Sequence, residues 1–149
     1  MRSIHIVIWL VVGLVGAALT PVSAQRSADP QPLAAFARQL GLRDTAGFVE
    51  AVTRLRSTRE LPPRYVTKDA AKARGWQGGG LCKAWPGHMI GGDPFHNFGG
   101  KLPAAPGRAY READLDATCR SRGPRRLVFS SDGLIYVTID HYNSFVPVP

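Results

Sequence analysis

The spacing of apolar residues changes character along the chain, and each change marks a different kind of segment. From Ile6 to Leu19 the residues form one unbroken apolar run, with Arg2 ahead of it and Pro21 and Val22-Ser23-Ala24 behind it. Fourteen residues fall short of the roughly 18 that a membrane-spanning helix needs. Small residues before Gln25 suit a signal peptidase, so residues 1–24 are expected to be a cleaved export signal. Gln25 to Gln31 shows no apolar periodicity and is expected to be an extended leader.

The period then becomes helical. Pro32 suits the first position of a helix through Leu33, Phe36, Ala37 and Leu40 that stops at Gly41. Asp44 is placed to cap a second helix, whose Phe48, Val49, Val52 and Leu55 recur at helical spacing to about Ser57. Thr67 caps a third, through Asp69 and Ala70 to Arg74, ended by Gly75 before Trp76; Gly78-Gly79-Gly80 marks a loop. From Ile90 onward short β segments take over. Strands are expected over Arg108 to Leu115, Arg125 to Ser130 and Leu134 to Ile139, with Ser131-Asp132-Gly133 as the hairpin turn between the last two. Helices first and strands afterwards predict an α+β fold in which N-terminal helices pack on a C-terminal antiparallel sheet.

Composition adds bounds. A chain of 149 residues favours one domain, and 44% hydrophobic with 20% charged residues is ordinary for a chain that folds. A formal net charge of +8 points to a polyanionic partner or an anionic surface. Export places Cys82 and Cys119 in an oxidising compartment, where a single pair of cysteines is expected to form a disulfide.

Strand alternation sorts the candidate chemistry. Tyr110, Glu112 and Asp114 fall on one face of their strand, Ala113 and Leu115 on the other. With the apolar pair in the core, Glu112 is expected on the open face, together with Arg126 of the next strand. Arg120, Arg122 and Arg125 crowd the intervening loop, and His141 follows Asp140 at the end of the last long strand. A carboxylate base, an imidazole acid and several cations suit phosphodiester cleavage, in which charge builds on a pentacoordinate phosphorus. Taken singly, Glu112 also reads as an ion-pair partner on a solvated face and His141 as an ordinary turn histidine. Lys68, in the first turn of the third helix, opposes the helix dipole, but beside free backbone N–H groups it would help to bind a phosphate. His88 and His96 lack the carboxylate or cysteine neighbours of a metal site, so neither a metal nor a cofactor is expected.

Several blocks occur in an order that resembles a known family. Leu61-Pro62-Pro63-Arg64-Tyr65-Val66-Thr67-Lys68, Gly75-Trp76, Ile90-Gly91-Gly92-Asp93, Gly100-Lys101-Leu102-Pro103, Arg111-Glu112-Ala113-Asp114, Leu134-Ile135-Tyr136 and Asp140-His141-Tyr142 are similar to the secreted bacterial ribonucleases of the barnase and binase family. The likeness runs from about Phe48 to Phe145, which divides the exported chain into an N-terminal extension, 25–47, and a ribonuclease domain, 48–149. It implies metal-independent cleavage of single-stranded RNA by transesterification to a 2′,3′-cyclic phosphate. On this resemblance Glu112 is the general base, His141 the general acid, and Lys68, Arg122 and Arg126 the phosphate-binding cations. Phe95, His96, Asn97 and Phe98 form the base-recognition loop, and Tyr142 offers a stacking surface. Two positions depart from the family: Gly99 stands where a glutamate reads guanine, and Phe98 where an arginine is common. A relaxed guanine preference is therefore expected. The resemblance further implies a monomer, located in the periplasm or outside the cell, with an acidic inhibitor of the barstar type as a second partner besides RNA. The competing reading from charge alone is a noncatalytic exported protein that binds RNA or another polyanion.

Overall fold

The computed structural model describes residues 30–149; the expected export signal and the first residues of the expected leader lie outside them. Helix α1 spans Pro30–Gln39 and α2 Thr45–Thr58. A two-residue strand β1, Tyr65–Val66, leads into the short helix α3, Lys68–Lys72. Strands β2 (Met89–Phe95), β3 (Tyr110–Asp114), β4 (Arg126–Ser130), β5 (Ile135–Thr138) and β6 (Val146–Pro147) follow. They form one sheet in the order β1-β2-β3-β4-β5-β6, parallel between β1 and β2 and antiparallel elsewhere.

The caps are those the sequence predicts. The Asp44 carboxylate accepts the Gly47 N–H at 2.8 Å, and the Thr67 hydroxyl accepts that of Ala70 at 3.3 Å. Some boundaries differ, and two short strands are added. The first helix begins at Pro30 rather than Pro32, because both prolines fit into a first turn whose N–H groups have no helical partner, so Pro30 and Gln31 are helical rather than extended. The third helix ends at Lys72 and continues only as a turn to Gly75. Strands β1 and β6, at two residues each, are too short for any alternation to reveal them.

One face of the sheet carries Ala113, Leu115, Leu127, Phe129 and Val137, which pack with Leu33, Ala37, Phe48, Val52 and Leu55 of α1 and α2 in the main core. Phe36 and Phe48 join the two helices, their ring centroids 5.9 Å apart. A second cluster of Ala71, Leu81 and Ile90, with Trp76 and Trp85, seats α3 and its following loop on β2. The Arg43 and Asp44 N–H groups donate to the Asp116 carboxylate at 2.9 Å, and Arg125 reaches the same carboxylate and the Gly41 carbonyl. Arg125 therefore binds the N-terminal helices to the sheet rather than joining Arg122, because Asp116 lies on the helix side of the strand end.

Cys82 and Cys119 form a disulfide. It brings the 78–82 loop so close to the 118–120 backbone that a Cβ on Gly80 would lie 2.1 Å from the Thr118 carbonyl oxygen; only glycine fits there. Gly92, at φ +97°, occupies the irregularity in β2 between Gly91 and Asp93, where the register against β3 shifts by one residue. Replacing both cysteines by serine is expected to lower unfolding stability by roughly 3 to 4 kcal/mol, as for closure of a loop with a sequence separation of 37. Urea denaturation read by tryptophan fluorescence measures it, and an unchanged midpoint would contradict the expectation.

Candidate active site

The face of the sheet turned away from α1 and α2 has two halves. Tyr110 and Val128 pack with Leu102, Phe95, Tyr136 and Phe145 at its apolar end. Glu112, Asp114 and Arg126 occupy the other, in adjacent register: Glu112 opposite Val128, Asp114 opposite Arg126. This half is not the open surface that alternation suggests. Glu112 is only 7% exposed, Arg126 3% and Asp114 1%, because long side chains from the surrounding loops close over them.

Each buried charge has a partner. Lys68 Nζ donates to Glu112 Oε1 at 2.9 Å, and the Tyr142 hydroxyl to Glu112 Oε2 at 2.6 Å. Arg122 grips Asp114 with Nε and Nη2 at 2.9 and 2.8 Å. Arg126 Nε stands 3.1 Å from Asp114 Oδ1 as an ion pair, but is not aligned for a hydrogen bond, while its Nη1 donates to the Gly123 and Arg125 carbonyls at 2.9 and 2.6 Å. Lys68, Arg122 and Arg126 thus face two carboxylates. The surplus of one positive charge equals the charge of one phosphodiester.

The electrostatics follow from these contacts. Burial alone would raise the Glu112 carboxyl, but the Tyr142 hydroxyl, the Lys68 ammonium and the Arg126 guanidinium outweigh it and hold its pKa below the ordinary value. Burial and the Glu112 carboxylate push the Tyr142 phenol up to about 12, so it remains a donor. For Arg122, burial opposes the charge, yet the Asp114 carboxylate raises its pKa.

Lys68 is positioned by its backbone. Its N–H donates to both oxygens of Asp93 at 3.1 Å, so this N–H at the helix start is not free for a phosphate as the sequence reading supposed. An aspartate on β2 takes it first. The same contact commits Asp93 to the start of α3.

Asn97, at φ +50°, shapes the 95–101 loop: its amide donates to the Leu102 carbonyl at 2.9 Å and accepts the Leu102 N–H at 3.1 Å. Phe95 stacks on Tyr142 at 5.5 Å, and Phe98, 94% exposed, stacks on His96 at 5.1 Å. A cavity bounded by Phe95, His96, Phe98 and Gly99 has Glu112 and Tyr142 in its floor. A larger cavity, against Arg108 and Tyr110, includes none of the buried charges.

His141 is exposed, on the turn after β5. Its N–H donates to the Pro124 carbonyl at 3.2 Å, and its ring lies 5.0 Å from that of Tyr142 and borders a groove with Gly79, Ser121 and Arg122. Asp140 organises the turn, accepting the Thr138 hydroxyl, the Ser144 N–H and the Ser144 hydroxyl at 2.9, 2.9 and 2.6 Å. Those bonds bring the Asp140 carboxyl down to about 2. His88 lies elsewhere, against Trp85. Among the described residues no three His, Cys, Asp or Glu gather as a metal site.

Sequence reasoning missed the hydrogen bond from Tyr142 to Glu112 and the part Asp114 takes in orienting two arginines. Only the alternation that puts Asp114 on the face of Glu112 hinted at the second.

The family model for ribonuclease matches residues 49–149. The chain belongs to the bacterial ribonuclease family. It is 41% identical over 132 residues to a ribonuclease of Bacillus pumilus, covering 87% of this chain and 80% of that one. It is 48% identical over 92 residues to a ribonuclease of Heyndrickxia coagulans, covering 60% of this chain and 84% of the relative. The buried charges and the aromatic loop all lie within the matched ribonuclease segment.

Removing the Tyr142 hydroxyl deletes a bond that favours the ionised carboxylate. Tyr142→Phe is therefore expected to raise the Glu112 pKa, so that protonation on acidification begins at higher pH. Carbon-13 NMR titration of the Glu112 carboxyl checks this, and an unchanged or lower value would contradict it.

Proposed function

We propose that this ribonuclease is an exported endonuclease that cleaves single-stranded RNA by transesterification, without a metal ion. The observation that carries this reading is Glu112: a buried carboxylate kept ionised by cations, in the floor of a cavity whose rim is aromatic. A base held at the rim would bring its ribose over Glu112 and its 3′-phosphate over Lys68, Arg122 and Arg126.

Glu112 then takes the proton of the ribose 2′-hydroxyl as O2′ attacks phosphorus. His141 gives a proton to the departing 5′-oxygen, and the products are a 2′,3′-cyclic phosphate and a free 5′-hydroxyl. In the slower hydrolysis of the cyclic phosphate, His141 takes the proton of water and Glu112 returns one to O2′. The three cations supply the positive charge that a metal would otherwise supply at the phosphorus. Because Lys68 pairs with Glu112 in the free protein, a phosphate that draws Lys68 toward itself also frees the base and raises its pKa at the moment of use.

The roles of the loop follow the same reading. Asn97 sets its shape, Phe95 and Tyr142 provide one stacked surface, and His96 and Phe98 another. Stacking accepts any base, and Gly99 provides no acceptor for the N–H edge of guanine, so the preference for guanine is relaxed. Export is supported by the Ile6–Leu19 run and the disulfide; among the described residues no helix is long and apolar enough to cross a membrane. The chain from Gln25 acts as a monomer, with 48–149 as the ribonuclease domain and 25–47 as an extension. An acidic inhibitor of the barstar type would dock over the same cationic surface, more weakly where Phe98 replaces an arginine.

Glu112→Ala and His141→Ala are each expected to reduce RNA cleavage by at least about a hundredfold, the lower end for general acid–base groups, in protein that remains folded. Activity is expected to persist in EDTA, and the lowered Glu112 pKa of the free protein places the acid limb of the kcat/KM profile below the ordinary glutamate range. Near-normal cleavage by folded His141→Ala, or abolition by EDTA, would overturn the mechanism. Initial rates on GpN, ApN, CpN and UpN dinucleotides test the base preference. Gly99 has ordinary backbone geometry, and the nearest atom to a Cβ placed there is 3.7 Å away, so Gly99→Glu is expected to fold and to favour GpN. A strict guanine requirement before mutation would refute the relaxed preference.

A further inference from the structure

Lys101 is a cation beside the base loop that the proposed chemistry does not use. Its ammonium does not face the phosphate cluster. Nζ donates instead to the carbonyls of Tyr142 and Asn143, at 3.0 and 2.9 Å. Among the described residues these carbonyls receive no other hydrogen bond from a side chain. The rest of the turn is held by the bonds of Asp140 described above, by the Tyr142 N–H to the Thr138 hydroxyl at 2.9 Å, and by the His141 N–H to Pro124. His141 and Tyr142 are both left-handed, at φ +56° and +69°, a backbone that L residues adopt at a cost and keep only when their surroundings enforce it. On the C-terminal side the Asn143 amide donates to the Asp140 carbonyl at 2.8 Å, and Lys101 adds the tie that comes from outside the turn.

At its other end Lys101 belongs to the loop that Asn97 organises. The Gly100 N–H donates to the Asn97 carbonyl at 2.8 Å, and the Leu102 N–H to the Asn97 side chain. The Lys101 stem runs beneath Gly99, its Cγ, Cδ and Cε 3.7 to 4.0 Å from the point where a Cβ on Gly99 would stand. A base entering the cavity touches this loop, and the stem of Lys101 forms part of the cavity wall.

We propose that Lys101 is a positioning residue that couples occupancy of the base loop to the turn carrying His141 and Tyr142, so that a correctly seated base helps to set the general acid. The inference rests on the proposed roles of the loop and of His141. It gives the loop an effect on turnover as well as on binding. A cation that merely attracted RNA would act differently: its loss would raise KM and flatten the salt dependence, leaving kcat alone.

The test compares the unmutated protein with Lys101→Met, which keeps the stem without the charge, and Lys101→Arg, which keeps the donor. Amide proton–nitrogen spectra are recorded during titration with guanosine, a ligand without phosphate, and GpU cleavage is followed in parallel. In the unmutated protein guanosine is expected to shift the amides of both 95–100 and 141–143. In Lys101→Met the loop amides still respond and those of 141–143 do not; kcat falls roughly tenfold with KM changed less than about twofold, and Lys101→Arg recovers both. A full response at 141–143 in Lys101→Met, or a rise in KM at constant kcat, overturns the coupling. Silence of the loop amides in the unmutated protein refutes the base site itself, and the coupling with it. If folded His141→Ala cleaves normally, the acid assignment fails, and the guanosine response still decides whether the turn is coupled to the loop.

Discussion

The arrangement of this site depends on the cost of burying Glu112 and Asp114 on one face of a single strand. Two residues apart on β3, they project the same way, and like charges so placed cannot both be ionised out of water without cations close by. The cations come from three places: Lys68 from the start of α3, Arg122 from the loop before β4, and Arg126 from β4 itself. Each must arrive for the others to be tolerated. The cluster therefore binds α3 and the 116–125 loop to the centre of the sheet, and leaves one positive charge beyond neutrality.

Aspartates do the corresponding work on the backbone. Asp93 takes the first N–H of α3 and so places Lys68; Asp116 takes two N–H groups at the start of α2; Asp140 closes the turn that carries His141. In each case a short carboxylate satisfies donors that regular structure leaves unpaired. These contacts join distant parts of the chain in the first two cases and neighbours in the third, so the site is held by the fold rather than by its own loops.

The apolar half of the same face has a different function. Phe95, Tyr110, Val128 and Phe145 meet the charged half at Tyr142, whose ring stacks on Phe95 and whose hydroxyl binds Glu112. One side chain thus belongs to both halves. A cavity that is aromatic at its rim and ionic in its floor suits a ligand with a flat apolar part joined to an anion, as a nucleotide is. The disulfide stands behind Arg122, where it fixes the 117–122 turn against the glycine loop.

Much of this was legible in the sequence, because it depends on local spacing. The helical period placed Phe48, Val52 and Leu55 in the core, Asp44 and Thr67 announced their helices, and alternation put Arg126 on the face of Glu112. The ordered blocks identified the family, and the even cysteine count, with export expected from the N-terminal apolar run, pointed to the disulfide. What spacing cannot express is which of several like groups meet. Three arginines crowd positions 120–125, yet only the folded chain turns Arg122 to Asp114 and Arg125 to Asp116, since partner choice depends on distances between strand ends. The same holds for Asp93, which reaches an N–H 25 positions away, and for Tyr142, which the sequence presents as an aromatic surface and the fold as a donor to Glu112. Sequence alone determined the main helices and strands, the family and the residue types of the candidate site; tertiary structure added the two-residue strands and decided which charges are paired and which face is closed, because burial and ion pairing arise only when the segments are brought together.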